Sequence, residues 1–201
     1  MSTQRLDTPS ELGLPVGIWQ SEPSSSRLEF AVKTMWGLAT VKGHFDRFHG
    51  QLDVHADGAR GDLTIEAASL DTGHLKRDAH LRSPDFFDVA DHPTLSFVAA
   101  AITPRSDEDL TIAGDLNVAG RVIALELPVR VTRGEHGRLH LSATATVPRE
   151  QAGMTWNRGG MIRGDIQLTA ELELGPATSA GQDAAPDETT ERQPAISNGR
   201  A

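Results

Sequence analysis

The chain has no cysteine and no tyrosine among its 201 residues. Without cysteine there is no disulfide, no zinc–thiolate site and no thiol nucleophile, and the composition leans towards a reducing compartment. Without tyrosine there is no phenolic acid or base. Long apolar runs are missing too. The longest clean one is Phe97 to Ile102, far too short to cross a bilayer, and the opening MSTQRLDTPSELGLPVGIW lacks the apolar stretch of a secretory signal, so the expected location is the cytoplasm. Positive charge is the minority. Nineteen Lys and Arg face 28 Asp and Glu, for a formal net charge of -9. Such a chain is repelled by phosphate backbones, which argues against nucleic acid as a partner, and by anionic lipid, so membrane contact is expected to be transient and hydrophobic.

The two ends differ from the middle. Residues 1–15 are polar and broken by Pro9, Gly13 and Pro15, and read as a flexible N-terminal segment. The expected folded domain covers 16–175. Residues 176–201 carry Ile196 as their only large aliphatic side chain and read as a disordered acidic tail, unable to bury enough surface to offset its ordering entropy.

Between them the dominant signal has period two, that of half-buried strands. Leu28, Phe30 and Val32 alternate with Arg27, Glu29, Ala31 and Lys33, Leu63, Ile65 and Ala67 with Asp62, Thr64 and Glu66, and Leu95 and Phe97 with Thr94 and Ser96. Leu110 to Val118, Ile123 to Val131, Leu139 to Val147 and Ile166 to Leu174 continue the pattern. With Val16–Gln20 and Gly43–Val54 this makes about eight or nine strands, and only His74 to Ser83 reads as helix. Turns such as Asp57-Gly58, Ala119-Gly120 and His136-Gly137 suit hairpins rather than crossovers. Pro128 predicts an irregularity or edge in its strand, and the close pair Phe45 and Phe48 predicts a bulge at Asp46-Arg47. The fold class is therefore all-β, an antiparallel meander whose edges closure into a barrel would remove. Several expected inward positions are small: Ala67, Ala99, Ala101, Gly114, Ala143, Ala145 and Ala170. Small inward residues leave volume for a ligand in a barrel of this size, or else mark where the barrel narrows or faces solvent.

The stretch SLDTGHLKRDAHLRSPDFFDVADHPTLSF, Ser69 to Phe97, closely resembles the signature of the YceI-like family of lipocalin-like, polyisoprenoid-binding proteins. Val41 to Leu52, Ile112 to Val129 and Gln151 to Leu174 match the family pattern in the same order, so the resemblance covers roughly residues 17 to 174. It implies an eight-stranded lipocalin-like antiparallel barrel with one short helical segment and an elongated apolar cavity. The implied ligand is a polyisoprenoid, quinone-type or fatty-chain lipid, with no catalytic cofactor. The chain departs from the pattern in lacking a secretion signal, in having Gly120-Arg121-Val122 where a Gly-Val-Thr turn is usual, and in its acidic tail.

Three chemical readings compete with binding alone. Asp71-Thr72-Gly73 has the form of an aspartic-protease motif, but that chemistry needs a second carboxylate and no second DTG or DSG exists, so a turn capped by Asp71 is the simpler reading. His74, Asp78, His80, Asp85, Asp88, Asp91 and His92 crowd one segment without an HxH or HxxxH pair. A helix tied down by Arg77, Asp78 and Arg82 explains them without a metal. A Ser-His-Asp triad lacks a GxSxG elbow. The expected activity is non-catalytic: a carrier that sequesters a lipid, the rival being a filled barrel that acts as an interaction or stress-response module. The candidate ligand-binding residues are Phe30, Val32, Trp36, Phe45, Phe48, Leu52, Leu63, Ile65, Phe86, Phe87, Leu95, Phe97, Ile112 and Leu116. Of Phe86 and Phe87 one is expected to enter the barrel and the other to pack outside, while Trp36 and Trp156 suit either its rim or packing beneath their own loops. The expected partner is the lipid, and a homodimer is compatible with the sequence.

Overall fold

A computed structural model describes Ser10 and residues 12–177; the expected flexible segment and acidic tail lie largely outside the described residues. Among the described residues there are eleven strands and one α-helix. The strands are β1 (Gly17–Ser21), β2 (Arg27–Thr34), β3 (Ala39–Phe45), β4 (Phe48–His55), β5 (Gly58–Glu66), β6 (Leu70–Asp71), β7 (Thr94–Pro104), β8 (Asp109–Val118), β9 (Arg121–Arg133), β10 (Leu139–Val147) and β11 (Arg163–Pro176); α1 spans Leu75–Leu81.

All the pairings are antiparallel, and β1 closes the sheet by pairing with both β4 and β11. The eleven segments make eight staves, because three staves are broken in the middle. β1 and β2 are halves of one, separated by the 3-10 turn Pro23–Ser25, and they lie along β4 and β3 in turn. β3 and β4 are interrupted at Asp46-Arg47, and β5 and β6 at Ala67–Ser69, opposite one another. Backbone groups at the breaks are satisfied locally: Gly50 N–H donates to Ser21 Oγ (2.8 Å) and Glu173 N–H to Ser26 Oγ (3.0 Å). The result is the closed eight-stranded antiparallel barrel that the alternation and the small turns require.

The Asp46-Arg47 break lets both Phe45 and Phe48 face inward, which explains their lapse from alternation. Pro128 also marks an interruption. The β9–β10 ladder stops at Val129 opposite Ala143, and beyond it residues 121–128 pair only with β8. A proline has no N–H to give to a second neighbour. The following segment fills the break from inside, with Ala152 and Met154 in the core and Arg149 donating to the Met154 carbonyl (2.9 Å). One expectation is corrected: a register shift between Ala99 and Ala101 in β7 turns Ala101 to the outside and brings Ile102 inward.

The apolar interior divides into two plugs. One, at the α1 end, gathers Leu28, Phe30, Phe45, Ile65, Leu70, Phe87, Val118 and Met154 with their neighbours. The other, at the opposite end, gathers Trp19, Val54, Leu110, Val131, Leu139 and Leu174. Leu12 and Leu14 join this second plug, so the chain just before β1 closes that end, with Trp19 Nε1–H donating to the Pro15 carbonyl (3.2 Å).

Candidate binding cavity

Between the plugs the inward side chains change character. Leu63 on β5, Leu127 on β9, Leu141 and Ala143 on β10, and Leu168, Ala170 and Leu172 on β11 all point inward, yet none is fully buried. An inward side chain that keeps accessible surface faces a void. Two chambers of about 110 Å³ each occupy this waist, and their linings are almost entirely apolar. They share Leu63, Phe97, Leu127, Ala143 and Ala170, so they meet at one belt of the barrel. Each is close in size to the engineered ~150 Å³ apolar cavity that takes a benzene molecule.

The waist is hollow because side chains are missing from it. Ala143 and Ala170 are direct cross-strand partners, and Gly50 and Gly61 stand on the neighbouring staves β4 and β5. A methyl group added at Gly61 would meet nothing closer than 3.5 Å, so that glycine leaves space open. Gly114 is different: a Cβ there would run into the Val98 carbonyl and the Phe97 ring, so the bulged β7 backbone already occupies the space.

A lid covers the α1 end. Arg82 holds it down by donating to the Ala68 carbonyl (3.1 Å) and to the Leu70 carbonyl. Arg77 donates to Thr72 Oγ1 and to the Thr72 carbonyl (both 2.7 Å), while the buried Asp78 accepts from the Thr72 N–H (3.1 Å) and from its hydroxyl. These arginines thus hold the segment down through backbone carbonyls, as expected of them, and through a hydroxyl. Phe87 enters the barrel, where it packs edge-on against Phe45 (centroids 5.8 Å) and Phe30 (6.3 Å). Phe86 packs half-buried against the outer side of the α1-end plug beside His80, and Trp156 meets His80 edge-on (centroids 4.7 Å) and Phe86 at a tilt (5.7 Å). His80 Nε2 also lies 3.1 Å from Asp85.

A closed eight-stranded barrel with plugged ends, a hollow apolar waist and this helical lid has recognisable relatives. The YceI-like domain model matches residues 19–174. The chain belongs to the YceI-like family. A UPF0312 protein of Shewanella denitrificans is 35% identical over 97 residues, 46% of this chain and 50% of that protein. The match to the first of these curated relatives thus spans about half their length. Burkholderia cenocepacia BcnA superposes with a TM-score of 0.70 at 20% identity, covering 76% of this chain and 98% of that one. A polyisoprenoid-binding domain from Saccharophagus degradans, implicated in plant cell wall breakdown, superposes with a TM-score of 0.67 at 13% identity, covering 79% and 98%.

Of the fourteen residues singled out from the sequence of this YceI-like chain, seven line the chambers. Leu52 and Ile112 line one, Phe45, Ile65 and Leu116 the other, and Leu63 and Phe97 both. Phe30, Phe48, Phe87 and Leu95 lie in the α1-end plug instead, because the aromatic residues concentrate there and fill it. Phe86 belongs to the lid. Val32 and Trp36 sit on the β2–β3 hairpin, where Trp36 is exposed. Leu127, Leu141, Leu168 and Leu172 line the waist without having been singled out, although their alternation was plain.

The residues considered for metal binding do not converge. His74 caps α1, accepting from the Arg77 N–H (3.4 Å), and Asp78 is spent on Thr72. Asp71 accepts from the Gly73 N–H, which makes the DTG tripeptide a turn. A different trio, His44, Asp46 and Asp71, stands close together on the surface. Among the described residues no helix is long and apolar enough to cross a membrane.

Proposed function

We propose that this barrel sequesters the hydrocarbon tail of a long-chain isoprenoid or similar lipid and carries it without chemistry. The observation behind this reading is the waist: inward leucines and alanines, only part-buried, around two adjacent apolar chambers that share one belt of lining residues. The polyisoprenoid-binding domain among its structural neighbours supports the same ligand class.

By the benzene comparison, the two chambers in line take on the order of ten carbons. Burial of ~0.8 kcal/mol per methylene then gives about 8 kcal/mol before the ordering costs are subtracted, so the waist alone supports binding no tighter than about micromolar. A longer tail must extend beyond the chambers, past Phe45 and Ile65 into the α1-end plug, and on this reading the lid, not the waist, governs long ligands.

The test is native mass spectrometry of the delipidated chain mixed with a series of polyprenyl alcohols and fatty amides. A lipid adduct is expected for the wild type and its loss for Ala143→Phe, whose ring fills the shared belt. If the wild type takes up none of these ligands, the barrel is a packed scaffold and the carrier reading fails. That rival draws on the tightness of the two plugs.

A further inference from the structure

We infer that the tip of the β2–β3 hairpin is a docking surface for an anionic lipid bilayer. Met35 (φ 50°), Trp36 (φ 57°) and Gly37 (φ 94°) stand in the left-handed region in succession, a conformation costly for the two non-glycine residues. The strain buys no burial. Trp36 is 58% exposed and Leu38 87%, and Met35 and Met161 are exposed beside them. The turn is pinned in this form, since the Leu38 N–H donates to the Met35 carbonyl and the Trp36 N–H to the Met161 carbonyl (3.2 Å).

Charge says what covers the tip. The chain as a whole is strongly acidic, yet residues 31–43 and 157–164 contain no aspartate or glutamate. Only three lysines exist in the chain: Lys33 and Lys42 stand on the two strands of this hairpin, and Lys76 lies on α1 at the same end of the barrel. Arg163 is the cross-strand partner of Lys33. A projecting apolar tip with an amphipathic indole, collared by cations that can extend towards phosphates, matches the headgroup region of an anionic membrane. The lid at the same end carries Asp85, Asp88 and Asp91 beside Lys76, so the projecting hairpin tip, not the whole barrel end, is the surface that meets the bilayer. A second copy of the chain is a poorer occupant: a stable dimer buries about 800 Å² per partner, which a few side chains on a convex turn do not supply.

The same segment reaches the lid. Asn157 clamps Ile162 on both sides, donating to its carbonyl (3.1 Å) and accepting from its N–H (2.8 Å), and thereby ties Met161 at the tip to Trp156 on the lid. Docking therefore bears on the element that covers the barrel end. Docking does not depend on the carrier reading, and delipidated protein tests it separately.

The experiment is flotation of the full chain with vesicles of phosphatidylcholine and phosphatidylglycerol in equal parts, against phosphatidylcholine alone. Wild type is expected to bind the mixed vesicles, less so as salt rises. Lys33→Gln with Lys42→Gln is expected to lower that affinity roughly thirtyfold, about fivefold per charge. Trp36→Asp with Leu38→Asp is expected to abolish binding while the thermal melt holds, because both side chains are exposed and aspartate tolerates the left-handed region. Wild type that stays with the unbound fraction overturns the proposal, as does lysine-independent binding. A concentration-dependent dimer broken by Trp36→Asp would also overturn it, assigning the tip to a second copy.

Discussion

The plugs and the waist are made by the same strands, only a few residues apart, yet they are packed by different rules. In the plugs large side chains meet: Leu70 and Val54 have no accessible surface, and Trp19 and Leu139 almost none. In the waist the strands place glycine and alanine at the same height on several staves, so the leucines between them reach across without touching a partner on every side. Stability and capacity are thus separated along the barrel axis. The ends hold the fold together, which frees the middle to stay empty.

Truncation should separate the two regions most sharply. Leu139→Ala in one plug and Leu70→Ala in the other are each expected to cost about 2–5 kcal/mol, since the lost contacts leave a cavity in a close-packed site. Leu127→Ala in the waist is expected to cost nearer 1 kcal/mol, because part of its surface already faces a void and burial there is incomplete. Urea denaturation midpoints at a common m-value measure all three. Equal losses would mean that the waist is packed as tightly as its ends, and the distinction between the regions would collapse.

Much of this division was legible in the amino-acid order. Period-two alternation locates the staves, and Ala143 and Ala170 show as small residues on inward faces. Other features are not local. Ala101 continues the alternation of β7 on paper, but the register shift beside it depends on how β7 pairs with β8. Gly61 and Gly114 look alike in sequence, yet one borders empty space and the other a neighbouring backbone. The aromatic candidates were drawn to the cavity by their size, whereas the structure spends Phe30 and Phe87 on closing one end. The lysine-collared tip arises only when β11 brings Arg163 beside Lys33, a contact between residues far apart in the chain.

The two glycines give a finer probe of the same contrast. Gly114→Ala is expected to destabilise by about 1–3 kcal/mol, because the new methyl meets the Val98 backbone, which cannot step aside as a side-chain end could. Gly61→Ala adds its methyl where the nearest atom is the flexible end of Leu52, and its φ is ordinary. It is expected to stabilise by roughly 0.4–1 kcal/mol, chiefly by restricting the unfolded chain, while narrowing the chamber. Thermal melts read the first effect, and ligand capacity by native mass spectrometry reads the second. A Gly61→Ala barrel that gains stability and loses uptake would show directly that the waist trades one for the other.

The smallest effect is expected outside the barrel, where Arg47 and Glu66 face each other across the breaks that divide the α1-end tier from the waist. Arg47 Nε lies 2.5 Å from Glu66 Oε2 and its NH2 group 2.7 Å from Oε1, a paired contact on the surface. The hydrogen bond to Arg47 holds the Glu66 carboxyl below its ordinary value. A carboxyl that titrates lower in the folded than in the unfolded chain contributes fully above its unfolded value, and that contribution disappears as pH falls through the lowered folded value. Glu66→Gln should therefore lower Tm slightly at neutral pH and converge with wild type in acid. The shift is expected to be well below that of any plug truncation, because water screens an exposed pair. Were Glu66→Gln to match Leu70→Ala, the two tiers would be fastened from outside, and the aromatic plug would no longer account for how the α1 end stays closed over a hollow middle.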